Sequence, residues 1–271
     1  MVSMPMYFPP DPFNLQDAIT CSTLVNASYD MYTQWVNQDK PNTDKFKWNP
    51  PKVPAMQYSE PIWGAEEFLW FFKHKEPFSF VSRADDGKVY LVFRGTESTE
   101  DWIEDAEIEQ KPYDLVSGYG DVHKGFLDLY KSMGASVIET LNKVEQPKCL
   151  YITGHSLGSG LSTMAVPDVI THTDFKKEKL PVFHYNLASP RVGSPEFASV
   201  YNVNNIPTYR IVNTCDIVPQ VPPSVLGKLL FEHVGRSVDY TAQYGSLSGN
   251  HNSVDSYHYA LTNPDKPQGK V

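Results

Sequence analysis

Apolar positions along this chain change period several times, and the changes divide it into elements. Over NLQDAITCSTLVNASYDMY (14–32) they return every three or four residues without Pro or Gly, which predicts a helix. Residues 37–64 lose that rhythm, are rich in Pro, Asn and aromatic residues, and read as a long irregular connection. AEEFLWFF (65–72) reads as a short buried helix. FSFVSRADDGKVYLVFRGT (78–96) holds two β-rich runs divided by Asp-Asp-Gly, a hairpin signature in which Asp-Gly supplies positive φ. Phe126, Leu129, Met133, Val137 and Leu141 mark one stripe of an amphipathic helix over 125–145. KCLYIT (148–153) then predicts a strand, SLGSGLSTMAVPDVI a helix, PVFHYNLA (181–188) and TYRIVNTC (208–215) two strands, 233–240 another strand, and 253–262 a final helix. Strands alternating with helices imply an α/β fold, a mainly parallel central sheet with helices on both faces. No repeat, low-complexity tract or linker interrupts the series, so a single domain over 1–271 is expected.

The point where KCLYIT gives way to the next helix carries the chemistry. Ser156 lies there in G-x-S-x-G spacing, between Gly154 and Gly158. A strand-to-helix turn of this kind strains the serine backbone and lifts its Oγ above the sheet, while side chains at the flanking glycines would collide with neighbouring backbone. The plainer reading is a helix start capped by a serine, with glycines for close packing.

A serine nucleophile needs a base, and the base an orienting acid. Downstream acids include Asp168, Asp174, Glu196, Asp216, Glu232 and Asp239. Asp216 alone directly follows a strongly apolar strand, which places it at the carboxyl edge of the sheet; as a turn residue before IVPQVPP it would do nothing. Of the later histidines, His233 sits in a strand pattern and reads as structural. His251 lies in a loop just before a helix cap at Asn252 or Ser253, and is preferred as base over His258, seven residues on inside that helix. Donors for an oxyanion would be the N–H of Leu157, directly after the nucleophile, and Thr96 in FRGTES, where Gly95 permits a tight turn. FRGT read alone is equally a strand exit.

Composition narrows the classes further. Acidic residues outnumber basic ones, 32 to 23, for a net charge of −9, and the short KKEK run (176–179) reads as a solvated loop, so nucleic acid is set aside. No apolar run approaches the ~18 residues that span a bilayer. The first residues carry no secretory-signal pattern, so either a cytoplasmic protein or a secreted one with its signal absent is expected. Cys21, Cys149 and Cys215 read as reduced thiols. No zinc-type spacing, H-E-x-x-H or EF-hand loop occurs, and neither metal nor organic cofactor is expected.

VFRGTES with DW after it, VHKGF (122–126), ITGHSLGSGL, ASPRVGSPEFA (188–198), YRIVNTCDIVPQVPP (209–223) and HVG (233–235) together resemble, in order, the class 3 lipase family, which includes the filamentous-fungal triacylglycerol lipases. The resemblance runs from about residue 14 to 262. It implies an α/β-hydrolase fold, Ser156 as nucleophile, Asp216 as orienting acid, His251 as base, and Thr96 and Leu157 as oxyanion donors, with His123, His155 and Arg191 as supporting structure. One spacing departs from the family: Tyr257 follows His251 by six positions, one more than the pattern, which keeps His258 open. Lipases of this family often carry a lid after the oxyanion loop. In 98–120, Trp102, Ile103, Ala106 and Ile108 would form its apolar side, against seven acids between Glu97 and Glu109; the alternative is a fixed acidic surface helix. The expected activity is hydrolysis of acylglycerol esters through an acyl-enzyme, with a lipid–water interface as the partner. The same residues would serve an esterase on soluble short-chain esters, a phospholipase or an acyltransferase, and a catalytically silent binding module is the alternative from another class.

Overall fold

Asn14 adopts an extended backbone and accepts the N–H of Asp17, which starts α1 (Leu15–Asn37) and carries it past the end the sequence pattern marks. The computed structural model describes residues 3–6, 12–53, 55–65, 75–96, 108–177 and 179–269. The stretch expected to be irregular contains two short strands, β1 (Met56–Tyr58) and β2 (Ile62–Ala65). Both pair antiparallel with β3 (Lys75–Ala84) on its outer edge. Pro54 and Pro61 break their sequence pattern into fragments, and an edge position tolerates such punctuation. The helix expected at 65–72 is corrected at its first residue, because Ala65 closes β2; residues 66–72 lie outside the described residues.

β3 and β4 (Lys88–Phe93) form the expected hairpin. Its Asp-Asp-Gly turn uses one left-handed residue rather than an Asp-Gly pair: Gly87 has φ +90° and donates to the Ala84 carbonyl at 2.9 Å. A small ribbon of β5 (Gln110–Pro112) and β6 (Asp121–His123) leads into α2 (Lys124–Asn142). Then follow β7 (Cys149–His155), α3 (Leu157–His172), α4 (Asp174–Lys177) and β8 (Val182–Leu187). The α4 turn replaces part of the loop expected around the lysines. The chain continues with α5 (Pro195–Val203), β9 (Thr208–Asn213), a 3-10 turn at Val218–Gln220, and a hairpin of β10 (Val225–Leu226) and β11 (Leu229–Leu230). β12 (Arg236–Tyr240), α6 (Leu247–His251), a π-helical turn at Ser253–His258 and α7 (Tyr259–Thr262) complete the order. None of the three cysteines is paired.

The main sheet has the order β1-β3-β4-β7-β8-β9-β12, with β2 also on β3. From β4 to β12 every neighbouring pair is parallel. In that register Phe93, Gly154, Asn186 and Arg210 stand in one row, so the chain leaves β4, β7, β8 and β9 along a common edge. Both faces of the sheet are covered. Val89, Leu91 and Phe93 of β4 pack in a core with Phe126, Leu129, Met133, Val137 and Leu141 of α2 and with α3. Tyr90 and Val92 point the other way, into a core with Leu24, Val25, Met31 and Trp35 of α1 and with Ala260 and Leu261 of α7. Burial on both sides is why these strands read as continuous apolar runs rather than alternating ones.

α2 begins at His123, whose Nδ1 accepts the Gly125 N–H at 3.1 Å while its ring lies 4.5 Å from that of Phe126. This is the packing and hydrogen-bonding position the sequence suggests. Burial pushes the imidazole down to about 4, so it stays neutral and able to accept. The unfolded chain, with a histidine near 6.5, therefore binds more protons than the folded one between pH 6.5 and 4. Stability is unaffected above that window, falls as pH drops through it, and levels off below it. His123→Asn retains a capping oxygen and removes the titration. Urea unfolding across pH 4–6.5 is expected to show a slope shallower by up to about 1.4 kcal/mol per pH unit in that variant.

Candidate active site

The turn from β7 to α3 is built around Ser156, which has φ 58° and ψ −129° and no exposed surface. For a residue with a Cβ this conformation costs on the order of 1–3 kcal/mol and persists only where its surroundings enforce it. They do so at three points. The Ser156 N–H donates to the Leu187 carbonyl of β8 at 3.1 Å, and its carbonyl accepts from Ser159 N–H at 2.9 Å. Ser159 Oγ reaches the Gly154 and Leu187 carbonyls, both at 2.7 Å. A Cβ on Gly154 would stand 2.2 Å from the Gly158 carbonyl oxygen, and one on Gly158 would stand 2.5 Å from the carbonyl oxygens of Phe93 and Arg94. The side chain of Ser156 makes no capping bond to α3. The plainer reading, a serine serving as helix cap, is thus not what the chain does here.

Asp216 and His251 meet from different parts of the chain. Asp216 follows β9 and is 3% exposed; its Oδ2 accepts from His251 Nδ1 at 2.7 Å, and its Oδ1 from the Val218 N–H at 2.9 Å. A carboxylate oxygen can only accept, so the proton of this bond sits on Nδ1, and Nε2 is the nitrogen turned away from Asp216. Tyr257 adds a third donor, its hydroxyl lying 2.6 Å from Oδ2. Burial first, then the Asp216 charge, raises the Tyr257 phenol well above its ordinary range, so it keeps its proton. His251 is the last residue of α6 rather than part of a loop, a correction to the sequence reading; Asn252 beyond it does cap the next turn, accepting from Val254 and Asp255. Asn213 ties that segment to β9, donating to the carbonyls of Ala242 and Asn250.

His258 is bonded elsewhere, its Nδ1 lying 2.7 Å from Ser22 Oγ of α1. His233 donates from Nε2 to the Pro219 carbonyl at 2.9 Å, and burial lowers it to about 3. Ser162 Oγ and His184 Nε2 are 2.9 Å apart, but both residues are sealed, and the other nitrogen of His184 pairs with Tyr201; that contact holds α3 against β8.

The nucleophile candidate and the ring come together through His155. Its Nε2 donates to the His251 carbonyl at 2.9 Å, its Nδ1 accepts from Tyr29 OH of α1 at 2.7 Å, and the two imidazoles lie 4.5 Å apart. Burial, and then His251 beside it, hold His155 well below the usual range and therefore neutral. Ser156 Oγ and His251 Nε2 are both buried, and neither has a hydrogen-bond partner among the described residues. The Asp–His link is made and the Ser–His link is not. Buried polar atoms left open are costly to a fold unless it uses them.

Two backbone donors border this spot. Leu157 opens α3, where its N–H has no intrahelical acceptor. Thr96 follows β4, and the preceding Gly95 presses so closely on the turn that a Cβ there would be 2.9 Å from that of Ser156. Arg191 donates to the carbonyls of Gln220 and Pro222, bracing the 3-10 turn after Asp216. Of the segment expected to form a lid or acidic helix, 97–107 lies outside the described residues, and the rest carries β5 and the turn toward β6. Among the described residues no His, Cys, Asp or Glu cluster could hold a metal ion, and no helix is long and apolar enough to cross a membrane.

This serine turn at the edge of a mainly parallel, two-sided sheet is an α/β-hydrolase architecture. The family profile described as lipase (class 3) matches residues 90–226, about half of the chain, and the chain belongs to that family. It is 36% identical over 162 residues to a lipase of Rhizomucor miehei, covering 58% of this chain and 43% of that protein. It is 30% identical over 175 residues to phospholipase A1-II 3 of Oryza sativa subsp. japonica, covering 55% and 42%. The chain thus spans less than half the length of these relatives. Among solved structures, the native Rhizomucor miehei lipase propeptide complex superposes with a TM-score of 0.63 at 26% identity, over 86% of this chain and 70% of that one. A triacylglycerol lipase described as having a serine protease triad for its catalytic centre gives 0.61 at 25% identity, over 86% and 82%.

The tightness of the turn sets an expectation for stability. Gly154→Ala drives a methyl into backbone, and a denaturation midpoint corresponding to a loss of at least about 3 kcal/mol is expected. Gly160→Ala, whose Cβ meets only the Phe126 ring at 3.0 Å, gains helix propensity and is expected to stay within about 1 kcal/mol of the parent.

Proposed function

We propose that the protein is a serine carboxylester hydrolase acting on acylglycerols. The observation that carries this reading is the buried Asp216–His251 pair, whose Nε2 is left open as the Oγ of Ser156 is, with the His251 ring 4.5 Å from that of His155, the residue before the serine. His251 takes the hydroxyl proton as Oγ attacks the ester carbonyl, Asp216 steadies the imidazolium, and the N–H groups of Leu157 and Thr96 receive the oxyanion. The alcohol departs with the proton from His251. A water activated by the same ring then hydrolyses the acyl-enzyme and releases the acid. Tyr257 and Val218 keep the Asp216 carboxylate aimed at the ring.

An insoluble substrate is supported by the surface beside these residues. Ile217, next to Asp216, is 42% exposed, and Leu247 and Val254, on either side of His251 in the chain, are 44% and 50% exposed. The net charge of −9 favours neutral or zwitterionic lipid over an anionic surface. Similarity to a phospholipase A1 as well as to lipases supports testing phospholipids beside acylglycerols.

Esters of graded acyl length, assayed above and below their solubility limits, test this reading. A rate that climbs once substrate aggregates is expected; smooth saturation through the limit would point to a soluble-ester esterase. Ser156→Ala is expected to abolish turnover, and Asp216→Asn to lower kcat by about 10⁴-fold. A parent protein inert on every ester would favour the silent binding module.

A further inference from the structure

Arg94 breaks the apolar run VYLVFRGT, yet it is buried, with 1% of its surface exposed. Its guanidinium makes three separate bonds. Nε donates to the Pro77 carbonyl at 2.8 Å, Nη2 to the Glu76 carboxylate, and Nη1 to the Gly95 carbonyl at 2.8 Å. The rings of Tyr32 and Phe78 each lie 4.1 Å from the guanidinium carbon and fix its plane. A buried Arg–Glu pair is a weak source of stability, because desolvating two charges offsets most of their attraction and apolar side chains would often serve as well.

The third bond shows what the pair achieves. The Gly95 carbonyl and the Thr96 N–H belong to one peptide unit, and a trans peptide turns these two groups to opposite sides. Among the described residues the cis bond is Val221–Pro222 and not this one. Fixing the Gly95 carbonyl on the guanidinium therefore fixes the Thr96 N–H away from it. The serine turn packs directly against Gly95: a Cβ there would stand 2.7 Å from the His155 carbonyl and 2.9 Å from Ser156 Cβ. We propose that Arg94 is a positioning residue that, by clamping the Gly95 carbonyl, aims the Thr96 N–H at the oxyanion formed on Ser156. The inference rests on the hydrolase reading above. A donor held in place before the reaction needs no reorientation as charge develops, which is where such groups accelerate acyl transfer most. Lysine would keep the charge, but one ammonium cannot reproduce a planar fork spread over Pro77, Glu76 and Gly95.

Arg94→Lys tests this beside the parent and Leu141→Ala, a buried α2 substitution that destabilises the fold away from the site. Each protein is titrated to completion with a fluorophosphonate, and turnover of p-nitrophenyl butyrate is expressed per titrated site. Affinity for an alkyl trifluoromethyl ketone, whose hemiketal oxyanion occupies the same donors, is measured in parallel. Arg94→Lys is expected to lose about 100-fold in kcat with KM within about threefold, and to lose ketone affinity by a similar factor, while Leu141→Ala keeps both per site. The proposal is overturned by Arg94→Lys retaining kcat within about threefold, or by Leu141→Ala losing as much. Should Arg94→Lys give no titratable sites, Tyr32→Leu carries the test: removing one of the two rings on the guanidinium is expected to lower kcat at least about tenfold at unchanged KM, and an unchanged kcat refutes the clamp. A parent that neither reacts with the fluorophosphonate nor turns over ester overturns the hydrolase reading and the proposal with it. An active parent matched by Arg94→Lys overturns the proposal alone.

Discussion

The contact on which this structure turns is the approach of Gly158 to the end of β4, where backbone lies on backbone with no side chain between. Because α3 rests directly on the Phe93 and Arg94 carbonyls, its first turn has no room to back away from the sheet. The reversal between β7 and α3 must then be completed in one residue, and that residue is Ser156 with its positive φ. Strain at one position is thus sustained by packing at two glycines and by bonds from β8, none of which touches the hydroxyl itself.

A second layer of order comes from neutral buried polar groups rather than from ion pairs. His155 joins Tyr29 of α1 to the carbonyl of His251, and it can do so only as an uncharged ring with one donor and one acceptor. Burial keeps it so. Asn213 does similar work for the segment before α6, where one amide satisfies several backbone groups at once. Such networks specify geometry strongly because each unsatisfied member would be expensive in a low-dielectric interior.

Much of the architecture was legible from periodicity, for a clear physical reason. Strands buried on both faces have little choice but to be apolar along their centres, as in VYLVF and LYI, and the α2 stripe is written in Phe126, Leu129, Met133, Val137 and Leu141. β1 and β2 were not legible because they are short, lie at the edge and are interrupted by proline. α6 escaped notice because Leu247–His251 is a single polar turn, held by the Ser246 cap rather than by an apolar face. The fold joins Asp216 to His251, and as candidates these two and Ser156 stood out through local context alone. Tyr257 and Arg94 did not, since the partners that give them meaning lie 41 and 18 residues away in the chain and are brought near only by the fold.

The meeting at His155 has a consequence for how the two ends of the chain are held. One of its nitrogens is engaged by the first helix and the other by a segment that follows the last strand of the sheet, so the imidazole is a knot between early and late parts of the polypeptide. Loosening either end of the chain would therefore release the same imidazole, next to Ser156 in sequence, and leave a buried nitrogen without its partner.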